Sequence, residues 1–311
     1  MALETVKVSP QGSKNLVDPE EQTEQFPNVL PSCQNGEDVV FPFGKNWQQF
    51  LSNIGEDQVR QACQSLKRFL EVQDLAGKNF VDIGCGSGLF SYAAYLLGAR
   101  QIVSMDVDPF SVACTQYLHE KAGRPAHWTI RHGSVLDASC LSELGTFDIV
   151  YSWGVLHHTG SMWQAIENSA RLVSKEGLYY IALYNRVEGR FGSQMWVKIK
   201  KLYNVSPKPV KWLIQLVFIL IRHVGRNILR LKNPFKVLRN FGAERGMRWR
   251  TDMIDWLGGY PYEFATVEEV FSFMKKHYPS FTLINIKNEP GLGNNWFLFR
   301  NDSHAAGSHP L

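Results

Sequence analysis

The sequence predicts an α/β fold in which a mostly parallel sheet carries helices on both faces, and three observations support that expectation. Short apolar runs alternate with segments of helical period across residues 79–300. The first run, residues 80–83, leads into a glycine turn, Gly84-Cys85-Gly86-Ser87-Gly88, and a helix start. Each of the first two runs carries an acid near its carboxyl end, Asp82 and Asp106. With 311 residues, 44% of them hydrophobic, the chain can build one large domain plus an insertion.

The elements follow in order. Residues 1–42 are polar, interrupted by Pro10, Pro19, Pro27 and Pro31, and read as a flexible lead. Residues 43–76 carry two helical stripes, one of Trp47, Phe50, Leu51 and Ile54, the other of Val59, Ala62, Leu66, Phe69 and Leu70. Residues 77–185 form the core. Strands are expected at 80–83, 101–105, 127–131, 147–152 and 178–183, with helices at 90–97, ended by Gly98, and at 109–120. A further helix opens on Ser161-Met162-Trp163-Gln164, a capping-box pattern, and lines up Trp163, Ile166 and Ala170. An insertion occupies 186–262. Residues 263–300 complete the sheet: Thr266-Val267-Glu268-Glu269 caps a helix that buries Val267, Val270, Phe271 and Met274, and two runs follow at 281–286 and 296–299. Residues 301–311 read as a tail.

Composition narrows the function classes. The five cysteines, Cys33, Cys63, Cys85, Cys114 and Cys140, are odd in number and lack C-x-x-C spacing, so neither a disulfide framework nor a zinc site is indicated and a reducing, cytoplasmic setting is expected. No apolar leader opens the chain, and the most apolar run, residues 212–221, is half of the roughly 20 residues a membrane span needs. Charge is unevenly divided. Residues 186–250 hold 16 basic and two acidic side chains, a net +14, whereas the rest holds 17 basic and 27 acidic, a net −10. A basic module is thus set on an acidic body.

The glycines fall as G-x-G-x-G, with Leu89 where a dinucleotide fold requires its third glycine, so NAD is disfavoured. A carboxylate beside the turn, Asp82, repels a diphosphate but suits a ligand bearing an ammonium group, and an acid ending the second strand, Asp106, can accept from both hydroxyls of a ribose. S-adenosylmethionine has both groups. Over residues 79–300 the chain resembles the class I S-adenosylmethionine-dependent methyltransferases, and in motif pattern the ubiquinone-pathway O-methyltransferases. The resemblance implies a Rossmann-like seven-stranded sheet with an antiparallel final hairpin. It also implies a donor site made of Asp82, Gly84, Cys85, Gly86, Gly88, Asp106 and Val107, with Ser134, Val135 and Asp137 at the adenine and Ser152 beyond. An alternative for Asp137 is a helix N-cap.

After the fourth strand, Ser152-Trp153-Gly154-Val155-Leu156-His157-His158 lies at the edge where a methyl donor would be presented. Methyl transfer needs an aligned acceptor and a sink for its proton, and histidine serves at physiological pH. His157 and His158 are the candidate bases, His157 ahead of His158; the alternative is that both bond backbone carbonyls. As a metal pair they lack assured carboxylate partners, and no metal is expected. Trp153, with Tyr260, Tyr262 and Glu263 after the Gly258-Gly259 turn, is expected to shape the acceptor pocket; the alternative for the Gly258-Gly259-Tyr260-Pro261 segment is a plain tight turn.

The insertion admits three readings. Its apolar run is hydrophobic all round, which favours a buried lid or dimer helix enclosing a small, anionic acceptor with modest salt dependence. Apolar helices between basic flanks also suit, as the second choice, peripheral contact with an anionic membrane. RNA has the cations it needs but no recognised binding module. The expected activity is methyl transfer to a small-molecule or lipid-like acceptor, with oxygen placed ahead of sulfur or nitrogen by the resemblance to the ubiquinone-pathway enzymes alone, the alternatives being an RNA-associated enzyme or a silent donor-binding regulatory module.

Overall fold

The computed structural model describes residues 41, 43–44, 54–221 and 249–302. Almost all of the expected lead, the stripe of Trp47, Phe50 and Leu51, the centre of the insertion and the tail beyond 302 lie outside the described residues.

Seven strands form one sheet in the order β3-β2-β1-β4-β5-β7-β6. They are β1 (Asn79–Ile83), β2 (Gln101–Asp106), β3 (Trp128–His132), β4 (Phe147–Trp153), β5 (Val173–Tyr184), β6 (Phe281–Lys287) and β7 (Asn294–Asn301). The first five are parallel, and β7 runs antiparallel between β5 and β6. The central strands are buried on both faces, as a sheet covered by helices requires. Because the chain steps outward through β2 and β3 and then returns to place β4 beside β1, strand order reverses between β1 and β4. The carboxyl ends of those two strands open the crevice where such sheets bind ligands.

One face packs α1 (Glu56–Leu70), α2 (Leu89–Leu96) and α3 (Pro109–Lys121), whose apolar stripes close a core around Leu66, Phe80, Ile102 and Tyr180. All five residues of the expected α1 stripe are buried. The other face packs the short α4 (Ala138–Ser142), α5 (Met162–Ala170) and α9 (Val267–His277) around Val81, Val150, Ile166 and Phe297. Between β5 and α9 the described insertion supplies α6 (Ser193–Val205), α7 (Lys208–Phe218) and α8 (Trp249–Gly258), joined by a small cluster of Tyr203, Met253 and Leu257.

Three local departures from the sequence reading have physical causes. β5 starts at Val173 rather than 178, and its register against β4 breaks between Phe147 and Ile149, because Lys175-Glu176-Gly177 makes an excursion inside the strand with Glu176 at φ 59°. The capping box at Ser161 does not form. No side-chain cap bond comes from Ser161; both oxygens of Glu263 accept from the Met162 N–H, at 3.1 and 3.0 Å, so a residue 101 positions away caps α5. The capping box at Thr266 and Glu269 does form.

The third departure is α7. The all-round apolar run predicts burial, yet none of the α7 side chains is buried. Ile214, Phe218 and Ile219 pack against the Tyr203 cluster, whereas Trp212 is 64% and Ile221 70% exposed, with Leu213, Val217 and Leu220 beside them. Among the described residues the helix packs against α6 and α8, while Trp212, Leu213, Val217, Leu220 and Ile221 stay exposed.

Candidate functional site

The glycine turn bends where β1 ends. Gly84, Gly86 and Gly88 hold φ of 76°, 55° and 77°, in the left-handed region that other residues enter only with strain. Space forbids side chains as well: a Cβ on Gly84 would collide with Val155, and one on Gly88 would stand 2.8 Å from the Thr115 backbone. The turn is pinned from below by Gly84 N–H and Cys85 N–H, both donating to the Met105 carbonyl at 2.7 and 3.0 Å. The Cys85 side chain points inward, its Sγ 3.2 Å from Thr115 Oγ1, so only its backbone belongs to the turn's outer surface.

Asp106, at the end of β2, accepts from the Gly86 N–H at 2.9 Å through one oxygen and from the Asp108 N–H at 2.9 Å through the other. The carboxylate is thus held at the rim of the turn with lone pairs to spare. Next to it Val107 is 57% exposed and offers an apolar surface at the same edge. Asp82 sits deeper, only 2% exposed, and takes the Ser91 hydroxyl at 2.6 Å. That hydroxyl accepts from Ser104, which accepts in turn from the Trp128 indole, so a buried chain of donors supports the acid. Burial pushes the Asp82 carboxyl up to about 7, with the Ser91 bond pulling the other way, and pushes Asp106 up to about 6 against its backbone hydrogen bonds.

Ser134 and Val135 follow β3 at the same edge, Val135 buried and its carbonyl held by the Asn168 amide at 2.9 Å. Asp137 is exposed and N-caps α4: its Oδ1 accepts from the Ser139 and Cys140 N–H groups at 3.0 and 3.1 Å. Ser152 is fully buried and donates to the Ile83 carbonyl at 2.9 Å, tying β4 to β1. Trp153, 37% exposed, stands edge-on to Trp296.

Beyond Trp153 a single 3-10 turn, Leu156–His158, carries the two histidines. His157 is completely buried. Its Nδ1 accepts from the Tyr184 N–H at 3.2 Å, so the proton belongs on Nε2, and Nε2 is a buried atom with no hydrogen-bond partner among the described residues. His158 is bonded in the opposite sense: its Nδ1 donates to the Pro261 carbonyl at 2.6 Å, leaving Nε2 as the unprotonated nitrogen. Phe43 lies 4.9 Å from the His158 ring, and the Phe41 N–H bonds the Tyr260 carbonyl, so this short N-terminal stretch crosses over the histidine.

The acceptor-side candidates separate into different roles. Tyr260 is partly buried and contributes its carbonyl to Phe41. Tyr262 is buried, its ring 5.0 Å from Tyr184. Glu263 spends its carboxylate on α5. Sequence reasoning missed Tyr184 and Lys200. Tyr184, the last residue of β5, packs 4.1 Å from the His157 ring, 5.6 Å from Trp256 and 5.0 Å from Tyr262. Lys200 on α6 is fully buried in a segment whose other lysines are exposed, and nothing in its sequence neighbourhood distinguishes it from Lys198 or Lys201. No group of three or more metal-ligating side chains occurs among the described residues.

Comparison with known proteins agrees with this fold. Residues 81–181 match a family model described as a methyltransferase domain. Residues of the chain are 30% identical over 119 positions to a ubiquinone biosynthesis O-methyltransferase from Methylobacterium sp. (strain 4-46), covering 38% of this chain and 46% of that protein. A shorter stretch, 53 residues or 17% of each chain, is 47% identical to a ribosomal protein L11 methyltransferase from Psychrobacter sp. (strain PRwf-1). The chain therefore aligns with less than half the length of these relatives. Among solved structures, PKMT2 from Rickettsia typhi in complex with AdoHcy shares the fold at a TM-score of 0.52 and 13% identity, over 78% of this chain and 53% of that one. An O-methyltransferase family protein from Burkholderia thailandensis does so at 0.50 and 11%, over 83% and 61%.

Proposed function

We propose, from the class I S-adenosylmethionine-dependent methyltransferase domain at its core, that the protein transfers a methyl group from S-adenosylmethionine to a small-molecule or lipid-like acceptor bearing negative charge. The observation that carries the reading is the pairing of the Gly84–Gly88 turn with Asp106: bare backbone, an exposed apolar neighbour in Val107 and a carboxylate with free lone pairs meet at the strand-order switch. These residues fit the donor. Asp106 would accept from the ribose hydroxyls, Val107 would lie against the nucleoside, the turn would face the amino-acid portion, and Asp82 beneath it would balance the ammonium group. Ser134 and Val135 would border the adenine, and Asp137 serves it only from its capping position.

When bound, the donor supplies a methyl carbon activated by an adjacent sulfonium, so the chain's own task is alignment and proton removal. In this reading Trp153, the two histidines, Tyr184 and Tyr262 would form the wall that meets the acceptor. An anionic acceptor fits the +14 of the insertion, and a lipid-like one fits the outward apolar row of α7. Oxygen is the favoured acceptor atom through the likeness to the ubiquinone-pathway relative.

The test is calorimetry on the purified protein. S-adenosylmethionine and S-adenosylhomocysteine should bind and NAD should not. Asp106→Ala should weaken both adenosyl ligands by about 1.5 to 3 kcal/mol, the range for hydrogen bonds to a charged group. Unchanged affinity in that variant, or binding of NAD, would refute the assignment.

A further inference from the structure

The described insertion closes over the histidine turn with a cluster that the donor site does not use. Lys200 Nζ donates to the Trp256 carbonyl and lies 4.5 Å from the Trp256 ring centroid, 4.7 Å from that of Tyr262 and 5.9 Å from that of Tyr184. One ammonium is therefore caged by three aromatic faces, an arrangement that holds a cation in place without neutralising it. Two more donors stand around the same rings. The Trp256 Nε1 and the His157 Nε2 are buried, and neither has a hydrogen-bond partner among the described residues. Buried polar atoms without partners are rare in folded proteins and each calls for a reason.

All three groups are donors. Lys200 has N–H bonds left after serving one carbonyl, the indole nitrogen only donates, and the tautomer of His157 places its proton on Nε2. A set of donors with no acceptor among them complements an oxyanion. The carboxylate of Asp255, on α8, acts on the lysine from nearby, and Lys200 and His157 flank the same Tyr184 ring, close enough for the lysine's charge to act on the histidine.

We propose that Lys200, Trp256 Nε1 and His157 Nε2 form a binding subsite for an oxyanion on the methyl acceptor, such as a carboxylate or phenolate, and that this subsite, rather than the exposed cations of the insertion, sets the preference for an anionic substrate. The proposal rests on the methyltransferase reading and adds the group by which the acceptor is held. Supporting it, burial brings the Lys200 amine down to about 7, with Asp255 acting in the opposite direction, so an incoming anion would restore its full charge.

The test uses the full chain loaded with S-adenosylhomocysteine and titrated with benzoate, with benzamide as the neutral isostere. Binding is followed by calorimetry and by the indole N–H resonance of Trp256, identified through Trp256→Phe. Benzoate should shift that resonance and bind at least about tenfold more tightly than benzamide, and Lys200→Met should weaken benzoate by about tenfold or more while S-adenosylhomocysteine affinity stays unchanged. Trp256→Phe, which keeps an aromatic ring but removes the donor, should weaken benzoate in the same direction and serves if Lys200→Met does not fold. Absence of benzoate binding, equal binding of benzamide, or the same benzoate affinity in both variants as in the native chain would overturn the subsite. Failure to bind S-adenosylhomocysteine would overturn the donor reading instead.

Discussion

His157 and His158 are neighbours in sequence with ring centroids 4.4 Å apart, yet they carry their protons on opposite nitrogens. The first keeps a buried Nε2–H with no partner among the described residues, and the second keeps an Nε2 lone pair. Adjacent residues on a single 3-10 turn thus divide donor and acceptor roles between them.

That division makes a spectroscopic prediction. Burial, together with His158 and Lys200 nearby, holds His157 well below the usual histidine range, and burial pulls His158 down to about 3 against its bond to Pro261. Neither ring should titrate between about pH 5 and 8. Side-chain nitrogen spectra should show His157 as the Nε2–H tautomer and His158 as the Nδ1–H tautomer. A folded-state transition near 6.5 for either ring, or a shared tautomer, would remove the assignment. Because both folded values lie below the unfolded one, the stability they confer is present above about pH 6.5 and declines as the pH falls.

Asp82 acts in the opposite sense. Its folded value is raised to about 7 from 3.8, so its contribution to stability is full below about pH 4 and is lost as the pH rises through 7. At 1.36 kcal/mol per unit the whole effect is on the order of 4 kcal/mol. Above about pH 6.5 the histidines are neutral in both states, but the Lys200 amine, brought down to about 7 by burial, adds stability as the pH rises beyond 7 and opposes the last of the fall from Asp82 and Asp106. The share of Asp82 is read by difference: the melting temperature of the unliganded native protein should fall relative to that of Asp82→Asn as the pH rises from about 4 to about 7. The increment given by S-adenosylmethionine should grow as the pH rises through about 7, because its ammonium group offsets the buried charge, and Asp82→Asn should flatten that growth. An increment independent of pH in the native protein would show that Asp82 does not sense the ligand.

The sheet was legible in the sequence because its signals are local. Val81 through Gly88, the acid of Asp106 and the Thr266–Glu269 capping box each place themselves within a few residues. The acceptor side was not, because its residues meet only after the insertion folds back. Lys200 becomes a buried cation through rings at positions 184, 256 and 262, and Glu263 becomes the cap of a helix that starts 101 residues earlier. Sequence reading assigned Glu263 to the acceptor by its place after a glycine turn. The structure instead places its carboxylate on the Met162 N–H, where a helix terminus attracts negative charge. The exposure of α7 departs from the lid half of its reading for a related reason: periodicity reports which faces are apolar, not whether a neighbour in the same chain covers them.

The outward side of α7 leads to the last prediction. Trp212, Leu213, Val217, Leu220 and Ile221 form an exposed apolar row, Leu202 and Val205 of α6 are exposed as well, and Lys198, Lys201 and Lys208 are exposed on the same two helices. No acidic residue occurs between Glu188 and Glu244. No helix among the described residues is long and apolar enough to cross a membrane, and an apolar row flanked by lysines suits contact along the surface of a bilayer. Each lysine near an anionic surface contributes about 1 kcal/mol, and inserting Trp212 and Leu213 adds roughly 1.5 to 3 kcal/mol each. The protein should co-sediment with phosphatidylglycerol vesicles and much less with phosphatidylcholine vesicles, and binding should weaken as salt is raised. The Trp212→Ser, Leu213→Ser double variant should lose at least about tenfold in vesicle affinity with its melting temperature nearly unchanged, since both side chains are already largely exposed. Equal binding of the variant, or preference for total tRNA over anionic vesicles at the same salt, would assign the basic insertion to another partner and return α7 to the interior of an assembly.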